Sequence, residues 1–323
     1  MVSTIVGRLI QAFLLLLVMS LIGFIGIHSV GNPVFNLVNS ETATVQDIRN
    51  ATIALGLDQP LWHQYFLFIG NVLTGNFGVS YIYHLPAFAL VMSKLPATLE
   101  LAIVAMSVAA PSGILLGLLA GRRKDRPVDR AILRASVVTL SIPSFWLSMM
   151  LILIGAILTG WLPSGGRGST VSLFGADWSF LTLDGLGKLV LPATALALPN
   201  IALIARLTRS GTIEVETQDF TRFCQAKGLS PRRILFRHTL PNISVPIVTI
   251  IGMQFGGMLA FAVVVETIFN WPGVGKLLID SIQLLDRPVV MATLTFISIA
   301  FVCLNALVDL FYVVLDPRTR RVG

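Results

Sequence analysis

Six long apolar stretches, separated by polar and charged segments, set the rhythm of this chain. They fall at approximately 9–30, 97–121, 131–160, 188–208, 244–269 and 289–314. A hydrocarbon core is crossed by about 20 predominantly apolar residues in a helix, because only helices and closed barrels satisfy the backbone away from water. The pattern therefore predicts an all-α integral membrane protein with six transmembrane helices. The third stretch exceeds what a perpendicular crossing needs and is expected to tilt or to extend beyond the bilayer. In the first, Leu9 to Ile27, Gln11 is the one strongly polar side chain before His28. It is longer than a signal-peptide core of about 7–15 residues and is read as a retained first helix.

The segment from about 31 to 95 is too long for a simple turn, and its Trp62, Tyr65, Phe66, Phe68 and Phe77 argue against a disordered linker. Short helices are expected there, lying at the outer membrane interface where Trp and Tyr are favoured. Whether they contact a ligand or only pack is open at this level. Pro111, Pro143, Pro192 and Pro199 interrupt the apolar stretches, and each removes a backbone donor, as a static kink or as a hinge. Between the fourth and fifth stretches, Thr208 to Pro241, residues 212–227 mix acids, bases and apolar positions without Pro or Gly. That is the pattern of an amphipathic helix. Gly228 suits its left-handed end, with Ser230 and Pro231 as cap and first residue of another helix.

Composition supports the membrane reading. Of 323 residues, 55% are hydrophobic and 12% charged, against roughly 45–50% and 25% in soluble domains; the mean hydropathy is +0.83. The net charge of +7 raises the question of nucleic acid, but the basic residues cluster between apolar stretches and not along one exposed face. Seventeen of the Lys and Arg residues fall on one side, at Arg8, 122–134, 206–237 and 318–321. Six fall on the other, at Arg49, Lys94, Arg167, Lys188, Lys276 and Arg287. The positive-inside rule then makes both termini cytoplasmic.

Nothing in the sequence points to an enzyme. His28, His63, His84 and His238 are scattered, and there is no paired-carboxylate or nucleophile–base arrangement. Cys224 and Cys303 are expected to be free thiols, and no Cys/His spacing suggests a metal. Gly187-Lys188 and Gly275-Lys276 lack both the earlier glycine and the following Ser or Thr of a P-loop, so no nucleotide site is expected in this chain.

The stretch RFCQAKG at 222–228, followed by Leu240-Pro241, resembles the EAA loop of ABC importer permeases, which reads EAA, three residues, Gly, nine residues, Ile, any residue, Leu-Pro. Arg222, Phe223 and Cys224 stand where the three letters fall and His238 replaces the isoleucine, so the Gly and the Leu-Pro match literally. The wider segments AKGLSPRRILFRHTLPN (226–242), VVVETIFNWPGVGKLL (263–278) and LVDLFYVVLDPR (307–318) are similar to the dipeptide/oligopeptide/nickel branch of that family. So are LGLDQPLWHQY (55–65), GNFGVSY (75–81) and LPATLELA (95–102), and the resemblance covers nearly the whole chain. It implies a type I importer permease in the bacterial inner membrane. Residues 1–95 would hold the first helix and a periplasmic segment, and 96–323 a five-helix core with a cytoplasmic coupling loop at 209–241.

The resemblance further implies that this loop forms a coupling helix seated in a cleft of an ATPase subunit. Carried onto this chain, the coupling surface is Glu216, Asp219, Phe220, Arg222, Phe223, Ala226, Lys227, Gly228 and Leu229. The implied partners are a second, homologous permease, two ATPase subunits that hold ATP and Mg, and a periplasmic substrate-binding protein. The chain itself is expected to bind no cofactor. Peptides are the first expectation for the solute, followed by nickel or another metal chelate and by oligosaccharides. A path for hydrophilic solutes needs polar or small groups facing inward, which nominates Ser107, Ser112, Ser141, Ser144, Ser148, Thr194, Asn200, Gln254 and Glu266. The rival reading is an ion-coupled transporter. It is disfavoured because Glu100, Arg206, Glu266 and Asp309 fall towards the ends of the apolar stretches.

Overall fold

The computed structural model describes residues 2–31, 34 and 44–315. Parts of the expected interfacial segment (32–33 and 35–43) and the basic Arg318, Arg320 and Arg321 lie outside the described residues, as do the side chains of Arg8 and Asp309. The described elements are α1 (Val2–Val30), α2 (Val45–Ala54), α3 (Leu61–Leu73), α4 (Ala87–Arg122), α5 (Pro127–Ser141), α6 (Ser144–Ile152), a hairpin of β1 (Val171–Leu173) and β2 (Ala176–Trp178), α7 (Leu183–Glu216), α8 (Asp219–Ala226), α9 (Pro231–Ile234), α10 (Leu240–Ile268), α11 (Val274–Gln283) and α12 (Arg287–Leu315). They form two compact units, one from Met1–Pro96 with Pro272–Cys303 and one from Ala97–Trp271 with Leu304–Gly323.

In the first unit, Phe24 and Ile27 of α1 pack with Leu278, Val290 and Met291, with Tyr65 and Phe68 of α3 against them. Two polar bonds fasten α3 to α1: Ser20 Oγ to the Tyr65 hydroxyl at 3.0 Å and His28 Nε2 to Gln64 Oε1 at 3.0 Å. Helix α2 begins in a capping box, in which Thr44 Oγ1 accepts from the Asp47 amide and Asp47 accepts from the Thr44 amide. The Thr44 hydroxyl, donating to the carboxyl at 2.7 Å, and the Thr44 amide together hold the exposed Asp47 below the usual carboxylate range.

The second unit owes its close packing to small residues. Ala102, Ala105, Ala109, Ala193, Ala197 and Ala262 are among its buried core. Gly113, Gly117 and Gly121 form a stripe on α4 at a spacing of four, pressed against Ile204, Thr208 and Thr212 of α7. A Cβ on Gly117 would lie 2.5 Å from Thr208 Cβ and 2.6 Å from the Ala205 carbonyl oxygen. Only glycine lets these backbones approach so closely. At one end of α5, Asp129 receives a two-pronged ion pair from Arg209 of α7, with Nε at 2.5 Å and Nη2 at 2.8 Å.

Several sequence expectations require correction. The third apolar stretch is not one helix: α5 and α6 meet at a 102° bend. Pro143 disfavours the helical conformation for the residue before it, and Ile142 is extended at φ −81° and ψ 125°. Helix α6 then widens into a π-helical turn over Leu153–Leu158. The chain is also not wholly α-helical. Phe174 and Gly175 take φ of 55° and 75°, the two positive values of a type I′ turn, and pair Val171 with Trp178 and Leu173 with Ala176. Helix α4 starts at Ala87, so the end of the 31–95 segment is already helical; α2 and α3 are short helices within it. Among the described residues, three helical runs are long and apolar enough to cross a membrane, Ala87–Arg122, Leu183–Glu216 and Pro231–Leu259, or four if the bent pair is one span. Phe13–Ser29 and Arg287–Cys303 are shorter apolar helices.

Candidate functional site

The nominated coupling loop is built differently from the single amphipathic helix expected over 212–227. Helix α7 runs through both Pro192 and Pro199 and continues to Glu216. The chain then breaks at Thr217 and an extended Gln218, and α8 starts at Asp219. One buried contact holds α8 back onto α7: Thr221 Oγ1 donates to the Val215 carbonyl at 2.8 Å, and Thr221 has no solvent exposure. Apart from the half-buried Cys224, the rest of α8 is exposed. Phe223 is 60% exposed and Phe220 36%, which is costly for aromatic side chains unless another surface covers them. Lys227 Nζ lies 4.5 Å over the Phe223 ring, and Arg222 pairs with Asp219 at 3.6 Å on the open surface.

Gly228 ends α8 at φ +74°, the left-handed cap expected of it, and its amide bonds to the Gln225 carbonyl. No atom lies within 4 Å of where its Cβ would be, so the constraint is conformational and not steric. Ser230 and Pro231 then cap and open α9, although the Ser230 side chain makes no capping bond. Of the nine nominated residues, Asp219, Phe220, Arg222, Phe223, Ala226, Lys227 and Gly228 are exposed and Leu229 is half-buried. Glu216 is the last residue of α7 and reaches Arg122 of α4 at 3.7 Å. Sequence reasoning missed Thr221 and Arg122, because both gain their roles from where α7 ends.

The nominated path residues do not form one lining. Gln254 Nε2 donates to Asn200 Oδ1 at 2.9 Å, and Asn200 in turn donates to the Leu196 carbonyl. Ser141 and Ser144 flank the bend and are exposed, whereas Ser148 is fully buried and bonded to the Ser144 carbonyl. Ser107 is exposed, Ser112 half-buried, and Thr194 borders an apolar cavity of about 170 Å³ with Val104 and Val108. Glu266 is fully buried and accepts from Thr98 Oγ1 at 2.6 Å.

Glu100, named above only as an isolated charge, is the hub of a separate arrangement. Its Oε2 takes Arg167 Nε at 3.1 Å and Nη2 at 2.7 Å, and its Oε1 takes the Ser179 amide, the Ser179 hydroxyl and the Phe180 amide at 2.6–2.8 Å. Arg167 also bonds the Asp177 carbonyl and lies 5.9 Å over the Trp271 ring, whose Nε1 reaches the Ala97 carbonyl. One buried carboxylate thus ties Arg167, on one side of the β-hairpin, to Ser179 and Phe180 on the other.

Comparison with known proteins places this geometry. Residues 113–321 match the family described as binding-protein-dependent transport system inner membrane component, and residues 1–102 match its N-terminal membrane component. The chain is similar to the di/tripeptide transport system permease protein DppB of Pseudomonas aeruginosa, 36% identical over 90% of each chain. It is 33% identical to the glutathione transport system permease protein GsiC of Escherichia coli, over 99% of each. Among solved structures, an inward-facing form of the MetNI methionine ABC transporter shares the fold at a TM-score of 0.54 and 16% identity, covering 72% of this chain and 98% of that one. Spanning both of its parts, this chain belongs to the family of inner-membrane permease components of binding-protein-dependent transport systems.

Proposed function

We propose that this chain is a transmembrane subunit of an ATP-driven importer that brings di- and oligopeptides across the bacterial inner membrane. The exposed lever α8, pinned by Thr221 and closed by Gly228, carries the reading. Two uncovered aromatic rings with flanking charges on a helix held at one point make a docking surface for another protein. The peptide assignment is supported by the names of DppB and GsiC. Those names rank it above a metal chelate or an oligosaccharide, and the engagement of the buried Glu100 by Arg167 and the Ser179 and Phe180 amides speaks against ion coupling through that carboxylate.

In this reading the chain crosses the membrane six times, with α1 and α12 as first and last spans and both termini cytoplasmic. Residues 1–95 form the first span and its periplasmic segment, and 96–323 the permease core with its coupling loop at 209–241. A homologous second permease completes the pore, and a periplasmic binding protein delivers solute. Two ATPase subunits hold ATP and Mg and receive Asp219, Phe220, Arg222, Phe223, Ala226, Lys227, Gly228 and Leu229, with Glu216 at the root of the lever. Asn200 and Gln254 are the polar pair nearest in character to a solute contact.

The test is Gly228→Glu. A side chain at φ +74° costs about 1 kcal/mol, and an added carboxylate at the docking surface weakens a contact that already contains Asp219. The variant should insert normally and assemble poorly with its ATPases. Uptake, and the stimulation of ATP hydrolysis by loaded binding protein, should both be lost. Full uptake by a correctly inserted protein would overturn the proposal.

A further inference from the structure

Polar groups in the first unit are largely satisfied in pairs. His28 bonds the Phe24 carbonyl and Gln64, and Asp286 accepts from the Ser80 hydroxyl and the Tyr81 amide. Arg287, the first residue of α12, differs. Its Nη2 donates to the Gly31 carbonyl at 2.8 Å, but Nε and Nη1 are buried without a hydrogen-bond partner. The neighbouring Asp286 is already engaged, and among the described residues no carboxylate stands within ion-pair distance of the guanidinium. A buried charged donor left unmatched is strongly unfavourable, so a fold that keeps one implies a group to meet it.

Arg287 lines a cavity of about 300 Å³ inside this unit. Phe24, Phe68, Phe77 and Met291 supply apolar wall, and Tyr81, Asn71 and Asn76 supply polar groups. Burial pushes the Tyr81 hydroxyl above the ordinary phenol value, against the opposing pull of Arg287, so at neutral pH it is protonated and able to donate. The wall includes Leu67, which is 54% exposed, and α1, which supplies Phe24 and Ile27 to it, also carries the exposed apolar residues Leu21, Ile22 and Ile25. The cavity therefore joins a guanidinium with two unmatched donors to a largely apolar, partly exposed wall.

We propose that this cavity holds the phosphate headgroup of an anionic phospholipid, with Arg287 and Tyr81 donating to phosphate oxygens and the aromatic wall covering the first acyl methylenes. The planar guanidinium fork matches phosphate geometry. A free inorganic phosphate would satisfy the donors and leave the aromatic wall uncovered. A lipid satisfies both, and the outward face of α1 is where its tails would lie. The inference is independent of which solute the transporter carries.

The assembled transporter, reconstituted in bilayer discs of phosphatidylcholine with a minority of phosphatidylglycerol, provides the test. After detergent extraction, native mass spectrometry should find phosphatidylglycerol retained in preference to phosphatidylcholine. Arg287→Gln should lower that retention about tenfold or more, Arg287→Lys should lower it less, and Tyr81→Phe, which deletes one hydroxyl, severalfold. Equal retention of the two lipids would overturn the proposal, as would unchanged phosphatidylglycerol retention in correctly assembled Arg287→Gln and Tyr81→Phe proteins. Binding of inorganic phosphate with no lipid preference would reassign the site to a free anion. Displacement of the lipid by a dipeptide and not by its C-terminal amide would reassign it to solute.

Discussion

At the scale of the residue, Glu100 carries the sharpest prediction. Five hydrogen bonds converge on its two buried oxygens, and Arg167 depends on it for charge. Glu100→Ala takes the carboxylate from Arg167 and leaves the Ser179 and Phe180 amides without their acceptor, which costs about 3–5 kcal/mol. We expect a marked fall in the thermal midpoint of the purified complex, together with rapid proteolysis between Arg167 and Phe180. Glu100→Gln keeps the shape but turns a donor towards donors, and should fall between the two. An unchanged midpoint in Glu100→Ala would mean that the loop is held elsewhere. The sequence displayed Glu100 and Arg167 as isolated charges 67 positions apart. No local pattern pairs residues so distant, and the carboxylate's other partners are backbone amides, which every residue possesses. Gly228 was legible for the opposite reason, since a left-handed cap is a local requirement that glycine announces.

At the scale of the element, helices were legible where apolar length alone decides and opaque where a single backbone residue decides. The bend at Ile142–Pro143 hides in a run that is apolar from end to end, and the two hairpin strands are three residues each, too short for alternation to register. The stripe of Gly113, Gly117 and Gly121 was in plain view as a small-residue repeat, yet its meaning depends on Thr208 and Thr212 facing it from α7. Gly117→Ala should destabilise the complex by about 1–3 kcal/mol, because its Cβ meets a backbone oxygen that cannot yield. Gly257→Ala in α10, where nothing lies within 4 Å, should instead stabilise by about 0.5–1 kcal/mol through helix propensity. Midpoints shifted in opposite directions by these two changes would verify the distinction; equal shifts would refute it.

At the scale of the whole molecule, the membrane class follows from composition, and orientation is tested separately. In a background lacking Cys224 and Cys303, single cysteines at Ser169 and Ser230 should label from opposite faces of the membrane, Ser169 from outside. Labelling of both from one face would reject the proposed topology. Under that topology the glycine stripe also bears on how force travels. Along three successive turns the side chains of α7 sit in notches of α4, and sliding either helix lengthwise would lift Thr208 out of its notch onto the bulkier residues between. The two are keyed together against lengthwise sliding. If the loop is the coupling lever proposed above, a push at the end of α7 is carried into the membrane interior by both helices together.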